Sequence, residues 1–243
     1  TGGTKYVVGE HTIHVFKSSD TFSVASAPEG TEFEILVVGG GGGGGRNGSR
    51  APSNKGAGGG GAGGLIHESV VIPQGTYDVT VGAGGAGSTN GGDSSISSTN
   101  LNIIAYGGGR GGNGEGQGAQ GGGSGGSGGG GGFKNWTRGG IATVAGQGTE
   151  GGRSSPSNYV GGGGGGGAAP LGGHPTYGCN TNAGNFQNHC WQTCNCNRAV
   201  RNPRGGYIYG GPGGNGKEIT IANGIVDSNG NPVILGDANH PNF

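Results

Sequence analysis

Glu32-Phe33-Glu34-Ile35-Leu36-Val37-Val38-Gly39-Gly40-Gly41-Gly42-Gly43-Gly44-Gly45 joins two kinds of chain with nothing between them. The first half alternates and then runs apolar, as a β-strand does. The second half has no side chains. Glycine loses more backbone freedom on folding than any other residue, roughly 1–2 kcal/mol each or somewhat more, and brings no apolar group to offset the loss. Such a run is either disordered or held by its own backbone hydrogen bonds. The junction recurs. Leu65-Ile66-His67-Glu68-Ser69-Val70-Val71-Ile72 follows a glycine-rich stretch ending at Gly64. Thr76-Tyr77-Asp78-Val79-Thr80-Val81 alternates, with Tyr77, Val79 and Val81 on one face, and runs straight into Gly82-Ala83-Gly84-Gly85-Ala86-Gly87. Strand, glycine excursion, strand is the organising unit.

Upstream, Ile13 and Val15, then Phe22 and Val24, continue the period of two from Thr4 to Val38. Lys17-Ser18-Ser19-Asp20 and Ala27-Pro28-Glu29-Gly30 supply turn chemistry. An antiparallel meander is expected there. Downstream, Ser94 to Tyr106 carries Ile96, Leu101, Ile103 and Ile104, Gly107 to Gly132 is almost all glycine, and Ile141 to Ala145 reads as a further strand. Lys217 to Ile221 and Gly224 to Val226 flank Asn223-Gly224, a hairpin signal, and Pro232 to Leu235 adds a last strand. No apolar spacing sustains a 3.6-residue period, and glycine costs a helix interior about 1 kcal/mol relative to alanine.

A glycine run anchored by strands at both ends can form a threefold helix of about 3.1 Å rise per residue, with every amide and carbonyl pointing outward. Such rods have no Cβ atoms, so they can lie side by side and satisfy one another through N–H···O=C bonds, aided by weak Cα–H···O contacts. Each bond contributes only about 0.5–1.5 kcal/mol net, so a lone rod melts and only a bundle pinned by strands survives. The fold class expected is all-β plus irregular: an antiparallel β-sandwich-like scaffold with a bundle of polyglycine II-type helices and no significant α-helix. One cooperative domain is expected, with a strand scaffold at 1–38, glycine rods with interleaved strands at 39–173, a cysteine-stapled loop at 174–204 and a last glycine run with a hairpin at 205–243.

Composition agrees. Glycine makes up 71 of 243 residues, hydrophobic residues 28% and aromatics 6%, so any apolar core is small. Charged residues are 11%, and 13 Lys plus Arg balance 13 Asp plus Glu, which gives no pull on a polyanion. No stretch reaches the ~18 apolar residues of a membrane helix, so no membrane insertion is expected. Methionine is absent, which suggests a fragment or a mature product. Cys179, Cys190, Cys194 and Cys196 are even in number within one short window. Two disulfides in an oxidising compartment are the preferred reading over a zinc site with His174 or His189, because Cys194-Asn195-Cys196 is tighter than the usual two-residue gap; the pairing stays open.

The stretch Ile35 to Gly45, then Ala57 to Gly64, Val70 to Gly85, Gly91-Gly92-Asp93-Ser94-Ser95 and Ala105-Tyr106-Gly107-Gly108-Gly109, resembles, in the order of its elements, the glycine-rich modules of bacteriophage tail-fibre and adhesin proteins. Related regions also look like part of certain animal receptor ectodomains. The resemblance covers about residues 1–167 and implies polyglycine-type helices stacked beside a β-fold, with receptor binding through variable loops at the bundle ends. No ligand residue of that family matches a position here, and His174 to Arg204 departs from the pattern. An extracellular or virion-surface location and a homo-oligomer or fibre partner are expected.

Catalytic motifs do not survive inspection. Gly214-Asn215-Gly216-Lys217-Glu218 lacks the hydroxyl and the helix of a phosphate loop, and serines at 124 and 127 meet a nucleophile-elbow pattern only because polyglycine surrounds them. Arg110-Gly111-Gly112, Arg138-Gly139-Gly140 and Arg204-Gly205-Gly206 look like RNA-binding tracts, but isolated arginines in a neutral chain cannot drive counterion release; arginine donors tying loops to rod-end carbonyls is the plainer reading. No nucleic acid, cofactor, metal or catalytic residue is expected. Aromatics gather where glycine thins: Tyr177, Phe186, His189 and Trp191; Phe133 and Trp136; Tyr207 and Tyr209. They serve as local packing or as a recognition surface for a cell-surface receptor or glycan. Asn47-Gly48-Ser49 and Asn135-Trp136-Thr137 match the glycosylation triplet. The function expected is a non-enzymatic extracellular adhesive fibre module. Its rivals are a self-assembling filament subunit joined through edge strands and an ice- or crystal-binding surface.

Overall fold

Alternation of apolar and polar residues resolves into strands, several of which meet only after glycine excursions have returned the chain. The computed structural model describes residues 1–8, 11–46, 56–114, 121–133, 137–154, 162–167, 200–201, 207–208 and 214, and among these there is no helix. The strands are β1 (Thr4–Val8), β2 (His11–Val15), β3 (Asp20–Val24), β4 (Glu32–Val38), β5 (Leu65–Val71), β6 (Gly75–Thr80), β7 (Ser94–Ser97), β8 (Asn102–Ala105), β9 (Val200–Arg201) and β10 (Tyr207–Ile208). All strand pairs are antiparallel, in one four-stranded sheet of order β3-β6-β7-β8 and three two-stranded ribbons, β1-β2, β4-β5 and β10-β9. The architecture is all-β with irregular regions.

The β4-β5 ribbon packs on the four-stranded sheet. Phe22, Val24, Ile72, Tyr77 and Ile96 form the buried centre, with Phe16, Phe33, Ile35, Val37, Val70, Val79, Leu101 and Ile103 against it. Phe22 meets Phe16 and Phe33 edge-on, with centroids at 6.1 and 6.3 Å. The buried Tyr77 ring keeps its hydroxyl satisfied by donating to the Pro73 carbonyl at 2.6 Å. This sandwich-like core is small, as the 28% hydrophobic content requires.

The expected meander over 4–38 is corrected in one respect. β1 and β2 pair, but β3 joins β6 and β4 joins β5, with Val38 opposite Leu65. The physical reason is that β4 runs directly into a glycine rod, and the returning rod delivers β5 alongside it. Residues 141–145 are likewise not a strand. Only Ala142 makes an isolated parallel bridge, to Gly125, and Ile141 is 57% exposed, so its side chain has no sheet to pack on. The hairpin and strand expected beyond residue 216 lie outside the described residues.

Between the strands, hydrogen-bond partners recur every third residue. Gly39, Gly42 and Gly45 donate to the carbonyls of Gly64, Gly61 and Gly58; Gly40 and Gly43 donate to Gly92 and Thr89; the carbonyls of Gly40 and Gly43 accept from Gly108 and Gly111. A period of three with partners in several directions is the signature of polyglycine-type helices. The described residues contain ten such rods, numbered in chain order: 39–46, 56–64, 82–87, 89–93, 107–114, 121–126, 127–133, 137–141, 149–154 and 162–167.

Their mutual bonds define three layers. Rods 3, 1, 2 and 10 form the first, rods 4, 5, 7 and 9 the second, and rods 6 and 8 the third. Rod 7 is at the centre and bonds to six neighbours. Ser127 and Gly130 donate to rod 2, Gly128 and Gly131 to rod 9, and Gly129 to rod 6. Their carbonyls accept from rod 5 at Ser127 and Gly130, from rod 10 at Gly128 and Gly131, and from rod 8 at Gly129. Its residues 127–132 are buried, and the hydroxyl of Ser127, which has no solvent exposure, donates to the Gly167 carbonyl at 2.8 Å.

Close approach explains the composition. A Cβ placed on Gly129 would lie 1.9 Å from the Arg110 carbonyl oxygen, and one on Gly130 would lie 1.9 Å from that of Gly163. At Gly41 the nearest atom would be 3.9 Å away. Gly130→Ala is therefore expected to destabilise the protein by at least ~3 kcal/mol, because main chain cannot yield as a core side chain does, whereas Gly41→Ala stays within about 0.5 kcal/mol of the parent in chemical denaturation. Equal midpoints for the two variants would contradict the packing.

The N-terminus is tied to β3. The Ser23 amide donates to the Thr1 carbonyl at 2.8 Å, and the Thr1 amino group bonds back to the Ser23 carbonyl. The Asp20 carboxylate accepts from the Thr21 amide at 2.8 Å and the Gly3 amide at 3.2 Å, which hold its pKa below the ordinary 3.8. A depressed carboxylate pKa stabilises the fold above the unfolded value and loses that contribution as pH falls through the folded one. The stability difference between wild type and Asp20→Asn should thus be full at pH 6 and shrink below about pH 4 in parallel melts. A difference independent of pH would remove this anchor.

Candidate functional site

Rod directions decide where side chains collect. Rods 1, 3 and 5 leave β4, β6 and β8 and run away from the sheets in parallel, since Gly85 donates to Gly41 and Gly108 to Gly40. Rod 7 is parallel to rod 5, and rod 9 to rod 7. Rods 2, 4, 6, 8 and 10 run back towards the sheets. Five connections therefore start and finish at the end of the bundle farthest from the sheets: 46 to 56, 87 to 89, 114 to 121, 133 to 137 and 154 to 162.

These connections are where glycine gives way to other residues. Four of them carry Asn47-Gly48-Ser49-Arg50-Ala51-Pro52-Ser53-Asn54-Lys55, Glu115-Gly116-Gln117-Gly118-Ala119-Gln120, Lys134-Asn135-Trp136, and Ser155-Pro156-Ser157-Asn158-Tyr159-Val160. Their roots are held by specific bonds. The Asn113 side-chain carbonyl accepts from the Arg46 amide at 2.8 Å and from the Ser88 hydroxyl at 2.5 Å, so one amide ties three connections together. Gly114 donates to the Arg46 carbonyl at 3.1 Å, and Phe133 donates to Gly56 at 2.8 Å. The Thr137 amide donates to Ser154 Oγ at 3.0 Å, and the Ser154 amide donates to the Thr137 carbonyl at 3.0 Å, with Ser154 fully buried. Ser88, at φ 67°, makes the left-handed turn between rods 3 and 4.

Of the aromatic candidates, Phe133 is half-buried at the root of the fourth connection. Trp136, Asn47 and Asn135 lie outside the described residues but within connections whose two ends are at this pole. Tyr207 belongs to β10, opposite Arg201. Tyr177, Phe186, His189, Trp191, Tyr209 and all four cysteines, Cys179, Cys190, Cys194 and Cys196, lie outside the described residues. The chain leaves rod 10 at Gly167 on the sheet side, where Thr149 and Ser127 bond its carbonyl.

Arg110 and Arg138 enter the bundle through their main chains: the Arg110 amide donates to Asn90 Oδ1 at 2.8 Å, and their carbonyls accept from Gly123 and Gly122. Sequence reasoning missed Asn113, Ser88 and Ser154. The signal for Asn113 was its interruption of a glycine run at a rod end.

Elsewhere, a hollow of about 390 Å³ lies beside β8, lined in part by Ile66, Glu68, Asn102 and Tyr106. Gln147 closes the edge of β8 there, donating through Nε2 to the Ile104 carbonyl at 2.8 Å and accepting the Tyr106 amide at 3.0 Å. His67 and Glu34 pair at 2.7 Å on the β4-β5 ribbon, with side chains 25% and 30% exposed, an arrangement open to water. Among the described residues, no three His, Cys, Asp or Glu side chains are placed to hold a metal, and no helix is long and apolar enough to cross a membrane.

The molecule is an all-β protein in which strands clamp a bundle of glycine rods and the connections collect at one pole. It belongs to the glycine-rich domain family, whose model matches residues 17–233. No curated protein and no solved structure matches the chain.

Asn113→Ala should loosen the pole without melting the bundle. The Arg46 amide is expected to exchange at least tenfold faster with deuterium, while amides at 128–131 keep their protection. Uniform loss of protection would mean that Asn113 supports the whole fold instead of the roots of the connections.

Proposed function

We propose that this protein is a non-enzymatic adhesive module of an extracellular or virion-surface fibre, which presents the five connections at the pole of the rod bundle to a cell-surface receptor or glycan. The observation that carries this reading is the segregation of the described architecture. The interior rods bond through main chain, and a Cβ at any of Gly128 to Gly132 would collide with neighbouring backbone, whereas the sequence of the connections at one pole supplies Trp136, Tyr159, Asn54 and Lys55. A rod lattice bonded in six directions keeps the connection roots at fixed spacing, which lowers the ordering cost of binding. Tyrosine and tryptophan supply large contact area at low entropic cost. The resemblance to phage tail-fibre and adhesin modules supports the same assignment. Under it the four cysteines form two disulfides on a separate segment.

Replacement of residues 47–54 by a glycine-serine linker of equal length, and separately Trp136→Ala, should lower attachment to the target surface at least tenfold. Exchange protection at 128–131 should not change. The control variant Thr12→Ser on the β1-β2 ribbon should attach as wild type does. Full attachment by both pole variants would refute display from this pole.

A further inference from the structure

The rod bundle has an unpaired hydrogen-bonding edge. In rod 1, residues 39, 42 and 45 donate to rod 2 and residues 40 and 43 to rod 4. The third set, the amides of Gly41 and Gly44, has no partner among the described residues, and both glycines are exposed. On the adjacent rod 3, the Gly85 amide bonds rod 1 and the carbonyls of Ala83 and Ala86 accept from rod 4, but the carbonyls of Gly82 and Gly85 accept nothing from a described residue. In a threefold rod, residues three apart point the same way. The outer face of rods 1 and 3 therefore offers a row of donors beside a row of acceptors, as the edge of a β-sheet does.

A second, independent observation concerns the side chains. Cβ atoms on Gly41, Gly44 and Gly84 would meet nothing closer than 3.9 Å, so the fold itself has room for larger residues there. Other rods use such outward positions: Arg110 and Asn113 on rod 5, Ser124 on rod 6, Arg138 and Ile141 on rod 8, Glu150 and Arg153 on rod 9. Rods 1 and 3 instead show Gly41, Gly44, Ala83, Gly84 and Ala86, all exposed. Moreover, the first layer already takes a further main-chain donor on its outer side, since Gly214 donates at 2.8 Å to the Gly165 carbonyl, which points away from rods 2, 7 and 9.

We propose that the outer face of rods 1 and 3 binds the same face of a second copy of this chain. Among the described residues no further rod lies over this edge. A free glycine peptide would lose more in ordering than its bonds return, so the occupant must be a rod that is already ordered. With the rods of the two copies antiparallel about a twofold axis, the Gly41 and Gly44 amides of each copy face the Gly82 and Gly85 carbonyls of the other, a self-complementary exchange of one donor row for one acceptor row. The contact is narrow, so the dimer is weak and concentration-dependent. This inference stands apart from the adhesive role, which uses the connections at the pole.

Sedimentation of the full chain over a hundredfold range of concentration should show a rise from monomer to dimer. The double variant Gly41→Gln/Gly44→Gln, whose new side chains have room in the monomer, should dissociate at least tenfold more readily while keeping wild-type exchange protection at 128–131. In wild type, the Gly41 and Gly44 amides should gain protection as the dimer forms. A chain that stays monomeric throughout, a dimer untouched by the double variant, or growth beyond two copies would each overturn the proposal.

Discussion

Rod 7 depends on a single constraint: six neighbouring main chains approach so closely that no Cβ fits at Gly128 to Gly132. The inward-facing amides and carbonyls then bond each other, because water is excluded and an unpaired polar group would cost more than the bond returns. Each residue from Ser127 to Gly131 gives one bond and takes one. The glycines pay heavily in entropy, and the lattice repays them only when it is complete. The strands fix the ends of the rods, as where Val38 and Leu65 face each other and Gly39 and Gly64 continue the pairing.

Two cores of different kind share the work. The apolar core is a few side chains between the β4-β5 ribbon and the four-stranded sheet. The polar core contains almost no side chains; Ser127 is an exception, and its hydroxyl is spent on Gly167. Gln147 mediates between them, with its side chain on the β8 edge and its carbonyl accepting from Leu65 at the start of β5. The five connections are mounted on the far end of the polar core, and Asn113, Ser88, Thr137 and Ser154 anchor their roots to the rod ends.

Period-two alternation located β4 through β6 closely, since Tyr77 and Val79 must face the core together. Strand partners were less legible: nothing in Glu32 to Val38 says that its partner lies beyond two rods. Within Gly107 to Gly132 the sequence reads as one run, yet it folds into rods 5, 6 and 7. The reversal at Gly125 to Ser127 leaves no trace, because glycine has no periodicity to interrupt. Ile141 to Ala145 misled for the opposite reason, a strand-like composition without a neighbouring sheet. At the pole, Phe133 and Trp136 were visible as aromatics, but Asn113 was not, since its importance comes from where rods 1, 3 and 5 end.

The threefold repeat also limits how such a chain can change length. Adding or removing one residue inside a rod would turn every later amide by about 120° about the axis, away from its acceptor and towards another neighbour. Three residues restore the directions and only move the rod end by one turn. Insertions within rods should therefore be tolerated as triplets, while the connections at the pole, free of that bookkeeping, can take any number.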